Sequence, residues 1–131
     1  MMSVGEKYVT NMTPFDRLDA FKASYEVGLC VYRSTEHWPK REMFGLSSQA
    51  RRSAFSISIN IAEGASKRGP REMRRYLDIA LGSLSELQVI LRMASDLNLA
   101  NQDEIAGLEK VRSLAGRLTW KLYRSIEKVC S

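Results

Sequence analysis

Ten basic residues carry the most concentrated chemistry in this chain. Lys110, Arg117, Lys121, Arg124 and Lys128 recur at steps of three, four and seven. At 100° per residue they fall within an arc of about 60° on one helix face. No acid interrupts that line, and the apolar residues of the same segment point well away from it. A second group, Lys67, Arg68, Arg71, Arg74 and Arg75, crowds a loop and the helical turns after it, with Glu72 the one acid among them. Arg74 is spaced to pair with Asp78 four residues on, which would neutralise part of this group. Cations arranged this way suit phosphate oxygens and give salt-dependent binding without sequence readout. Arg outnumbers Lys, which suits phosphate forks. A solubility face is the competing explanation. Trp120 and Tyr123 are the few aromatics near the line, which argues against a base-stacking platform.

Other chemistries lack their residues. His37 is the single histidine, beside Trp38-Pro39, and no His/Cys/Asp cluster has metal-ligand spacing. Cys30 and Cys130 have neither a CxxC partner nor a neighbouring histidine, so they read as a small filler and a tail thiol. Glu63-Gly64 followed by "ASKRG" lacks the GxxxxGK[ST] arrangement of a phosphate loop. The expectation is a non-enzymatic protein with no cofactor and no metal.

The elements that position the basic residues are all helices. A capped start at Thr13-Pro14, with Asp16 at the positive helix end, predicts a first helix. Its stripe is Leu18, Phe21, Tyr25, Leu29 and Tyr32, and Trp38-Pro39 ends it. The stretch 56–61, "SISINI", alternates like a strand. The residues before it, "SSQARRSAF", do not, and a helix from Leu46 to Ser66 explains the whole segment. A third helix opens at Pro70, with Met73, Leu77, Ala80, Leu84, Leu87, Leu91 and Ala94 in strict 4-3 steps. A fourth follows Asn101, which with Glu104 resembles a capping box. Its stripe is Val111, Ala115, Leu118, Leu122, Ile126 and Val129.

The second helix carries two apolar stripes. Leu46, Ala50, Ala54, Ile57 and Ile61 form one; Phe55, Ile59 and Ala62 form the other. Gln49, Arg52, Ser53, Ser56, Asn60 and Glu63 lie between them. A surface helix needs one apolar stripe, so the second is expected to face a neighbouring subunit. Arg52, Phe55, Ile59, Asn60 and Glu63 are the candidate interface or structural-motif residues. Arg52 and Glu63 are about 16 Å apart along the axis and cannot pair within the helix. If buried, each needs a partner elsewhere; the alternative is that both are solvated.

The chain has 131 residues, 44% hydrophobic and 27% charged, with net charge +5. That composition fits one soluble globular domain over 13–131, after a flexible segment at 1–12. No apolar run approaches a membrane span and no secretory signal is visible, so the expected location is the cytoplasm. Short connections between long amphipathic helices predict an antiparallel up-down four-helix bundle.

"VYRSTEHWPKREMFGLSSQARRSAFSISINIAEG" followed by "REMRRYLDIALGSLSEL" resembles the bacterial four-helix-bundle proteins encoded in 23S rRNA intervening sequences. These are similar in fold to the accessory variability protein of diversity-generating retroelements. The likeness runs from Tyr25 to Leu99. Its most specific pieces are Gly45-Leu46, Gln49, Arg51-Arg52, Asn60-Ile61-Ala62-Glu63-Gly64, Gly82-Ser83-Leu84 and Glu86-Leu87. Gly69-Pro70 departs from it, since the family tends to place a serine cap there. The resemblance implies a homopentameric barrel with a basic surface. For the retroelement relative it implies binding to RNA or DNA and to a reverse transcriptase. Two functions are therefore expected: a nucleic-acid-binding accessory protein or, alternatively, an oligomeric scaffold for a protein partner such as a reverse transcriptase.

Overall fold

The computed structural model describes residues 13–130, and within them the chain is helical with no strand. Helix α1 is Asp19–Thr35, α2 Leu46–Ser66, α3 Pro70–Asp96 and α4 Gln102–Cys130, with one 3-10 turn at Lys40–Glu42 between α1 and α2. Each helix packs on the next, and α1 closes the ring against α4. The expected segment at 1–12 lies outside the described residues.

Cross-links between helices give their directions. Ser34, at the end of α1, donates its hydroxyl to Glu104, in the first turn of α4. Arg112 of α4 reaches the Leu84 carbonyl of α3 at 3.4 Å. Gly64, near the end of α2, lies against Met73 and Tyr76 in the opening turns of α3. Consecutive helices are therefore antiparallel, as their short connections require.

The core follows the sequence periodicity in α2 and α3. Ala50, Ala54, Ile57 and Ile61 of α2 are fully buried, as are Leu77, Ala80, Leu87 and Ala94 of α3. Burying each of the large aliphatic chains contributes roughly 1.5–3 kcal/mol. The 56–61 alternation lies inside α2, which spans the expected Leu46–Ser66.

Helix α1 departs from expectation twice. It starts at Asp19, because Leu18 adopts an extended backbone (φ −80°, ψ 122°). Thr13 does not cap it. Instead the Thr13 amide donates to the Asp16 carboxylate at 2.9 Å, closing a separate turn. The core also takes only part of the expected stripe: Leu18 and Phe21 pack against it from partly buried positions. Ala20, Val27 and Val31 point inward, while Tyr25 and Tyr32 are exposed. Both sets satisfy helical spacing. The smaller side chains face the interior, where Ala50 and Ala54 of α2 are also fully buried.

Caps set the other boundaries. Glu42 accepts the Leu46 amide at the start of α2. Gly69 precedes α3 with φ 89°, a backbone that a serine cap would not adopt. Asn101 Oδ1 accepts the Glu104 amide at 2.8 Å, so half the expected capping box forms. The other half does not, because the Glu104 carboxylate is taken by Ser34.

Candidate nucleic-acid interface

Helix α4 turns Leu108, Ala115 and Thr119 into the bundle. Leu118, Leu122 and Ile126 are half-buried against the core, and Val129 at the far end of the stripe is exposed. With that face fixed, Lys110, Arg117, Lys121, Arg124 and Lys128 are all solvent-exposed on one line. The contacts of α4 with α3 come from elsewhere on the helix. Arg112 pairs with Glu109 and reaches Leu84, and Gln88 meets Glu109 at 3.5 Å. The α3 contact and the cation line therefore occupy different faces. Arg117 holds the Ser113 hydroxyl at 3.0 Å, and Arg124 lies 3.8 Å from Glu127, a long pair that leaves its guanidinium exposed.

The second basic group sits at the α2–α3 loop. Lys67, Arg68, Arg71 and Arg75 are exposed and Arg74 is half-buried. Arg75 pairs with Glu72 at 3.5 Å and flanks the Tyr76 ring at 4.9 Å, with Lys67 at 5.7 Å from the same ring. The expected Arg74–Asp78 ion pair is not formed among the described residues. Asp78 and Arg74 of α3 both lie near the Tyr123 phenol of α4. Partial burial and the Asp78 carboxylate raise the Tyr123 pKa above its ordinary value, with Arg74 opposing. This contact places the loop group at the same end of the bundle as the C-terminal half of the α4 line. It does not merge the two into one strip.

On α2, Phe55 is 37% and Ile59 54% exposed, so the second apolar stripe lacks a cover within the single chain. The exposed aromatics of α1 extend it. Tyr32 stacks on Phe55 at 6.3 Å, and the Arg51 guanidinium lies 4.2 Å over the Tyr32 ring. Gly28 lets α1 approach, since a Cβ there would meet the Phe55 ring at 3.4 Å. Asn60 turns its amide back to the Ser56 carbonyl and hydroxyl. Arg52 and Glu63 are exposed, which matches the solvated alternative for the single chain.

Sequence reasoning missed how Arg51 works. It donates to the Thr35 hydroxyl at 2.7 Å and to the Tyr32 carbonyl, joining α2 to the end of α1. Tyr25 and Tyr32 stand on the expected α1 stripe, yet both are exposed, and Tyr32 stacks on Phe55. Their seven-residue spacing, set against Phe55 and Ile59 four apart, was the available signal.

Cys30 is half-buried, and its thiol pKa is raised by burial and by Glu26, which accepts its S–H at 3.5 Å. His37 is exposed past the end of α1. Among the described residues, no group of three or more His, Cys, Asp or Glu is placed to hold a metal ion, and no helix is long and apolar enough to cross a membrane.

Comparison with curated proteins finds no match. The sequence model of the 23S rRNA-intervening sequence protein family matches residues 16–119, from the turn before α1 to the middle of α4. With four helices in that span and the match covering most of the chain, this protein belongs to the 23S rRNA-intervening sequence protein family.

Proposed function

We propose that this protein is a non-catalytic, self-assembling four-helix bundle that binds nucleic acid through phosphate contacts, with RNA the favoured form. The observation that carries the reading is the line of five exposed cations on α4, clear of the core and of the α3 contact. A helix face of this kind neutralises phosphates in series and reads no bases. The family's name connects its members with insertions in 23S rRNA, which agrees with an RNA ligand.

Self-assembly is supported by the outer face of α2 with the α1 tyrosines. Tyr25, Tyr32, Phe55 and Ile59 are a set of large apolar side chains open to solvent. Covering such a face repeats the cation line around an assembly, a pentamer in the proposal, and multiplies weak phosphate contacts.

The test is a binding titration with labelled RNA across salt. With four or five phosphates neutralised per chain, affinity should fall on the order of a hundredfold between about 50 and 200 mM salt. No binding at about 50 mM salt would overturn the reading. Light scattering checks the assembly, and a monomer at working concentration would remove that part of the proposal.

A further inference from the structure

We infer that α4 carries a single-strand site, in which an unpaired base stacks on Trp120 while its phosphates lie along Arg117, Lys121 and Arg124. The inference rests on the nucleic-acid reading above and narrows it to unpaired strands.

Trp120 is 50% exposed on the flank of the cation line. Arg117 lies three residues before it and Arg124 four after, so both are surface neighbours on the helix. The indole is held in place. It stacks on Tyr123 with ring centroids 5.5 Å apart and planes 13° from parallel. Tyr123 is itself half-buried, with Asp78 and Arg74 of α3 near its phenol. Two aromatics that look too few for a platform when counted along the sequence are thus stacked on one another.

The surface beside the indole is open. Gly116 is one turn back, and a Cβ built there meets nothing within 4 Å. Glycine weakens a helix interior, and at this position it keeps the ground next to Trp120 flat. The Arg124 guanidinium is 5.9 Å from the ring, on a side chain 55% exposed. An entering base takes that place, and the guanidinium moves to the phosphate.

A base within a duplex has its π-faces covered by its neighbours, so a stacking platform selects unpaired nucleotides. Trp120, Lys121, Tyr123 and Arg124 all lie beyond residue 119, where the family match ends.

The experiment compares a short single-stranded oligoribonucleotide with its duplex. Trp38 is 4% exposed, so a fluorescence change on binding reports Trp120. The single strand should quench that signal and bind more tightly than the duplex. Trp120→Leu should weaken single-strand binding about tenfold, leaving the duplex affinity and the salt slope unchanged. Gly116→Leu should weaken it similarly while the melting temperature holds or rises, which a merely structural role would not produce. If Trp120→Leu binds the single strand as tightly as the unsubstituted protein, stacking is overturned and phosphate binding survives. If the unsubstituted protein binds neither form near about 50 mM salt, both readings fall.

Discussion

The Ser83 hydroxyl of α3 donates to Ser56 Oγ of α2 at 2.8 Å, and the Asn60 amide donates to the same oxygen at 2.9 Å. This polar clasp sits beside the apolar core, on the strip that separates the two stripes of α2. Ser83 is nearly buried, so losing its partner costs more than one exposed hydrogen bond. Ser56→Ala should lower stability by about 1–2 kcal/mol in urea unfolding. The double variant with Ser83→Ala should cost less than the two single changes together, because they share one bond. Strict additivity would show that the two hydroxyls are not coupled.

Gly64 and Gly82 should respond oppositely to substitution. A Cβ at Gly64 would lie 3.0 Å from Tyr76 Cβ and 3.3 Å from the Met73 carbonyl. Gly64→Leu should therefore destabilise by about 1–3 kcal/mol, as overpacking a tight contact does. At Gly82 a Cβ meets nothing within 4 Å. Gly82→Ala should stabilise α3 by roughly 0.5–1 kcal/mol through helix propensity. Thermal melts of the two variants check both signs.

The turn into α3 depends on backbone, not on packing. Gly69 has φ 89° and ψ 159°, a region essentially closed to other residues. Space is open around it, so strain is the sole penalty. Gly69→Ala should cost about 1–3 kcal/mol in chemical denaturation with helix content retained. An unchanged midpoint would mean that the loop relaxes at no cost.

The outer face of α2 gives a separate test. Phe55→Ser with Ile59→Ser should lower the mass seen by sedimentation while circular dichroism stays helical, since neither side chain belongs to the buried core. An unaltered mass would place the contact between copies elsewhere.

Charge neutralisation on α4 should change the salt slope. Arg117→Gln with Lys121→Gln should reduce the dependence of log affinity on log salt by about 1.4–1.8, the effect of two phosphates. Both side chains are exposed, so stability should move by less than about 0.5 kcal/mol. A slope equal to that of the unsubstituted protein would remove these two residues from the interface.

Much of the fold was legible in the sequence because its signals are local. Pro70 and Asn101 mark helix starts by backbone chemistry, and the 4-3 steps of α3 mark a buried seam. The strand-like run at 56–61 resolved correctly once its flanks were included, because period follows from the whole element and not from six residues. The candidate site was legible as a line, since five cations within about 60° need only helical geometry.

What failed locally was decided by neighbours. Two faces of α1 have acceptable spacing, and packing against α2 and α4 buries Ala20, Val27 and Val31 while the tyrosines stay exposed. Glu104 has the spacing for a reciprocal cap, yet the Ser34 hydroxyl, seventy positions away in sequence, takes its carboxylate. Asp78 is spaced for Arg74 and lies near Tyr123 of another helix without an ion pair to Arg74. The sequence by itself determined the helices, their buried seams and the cation line, because periodicity and backbone preference act within a few residues. Tertiary structure decided which face of α1 is core and where the carboxylates go. Those outcomes depend on side chains brought together from different helices, and no spacing along one chain segment encodes them.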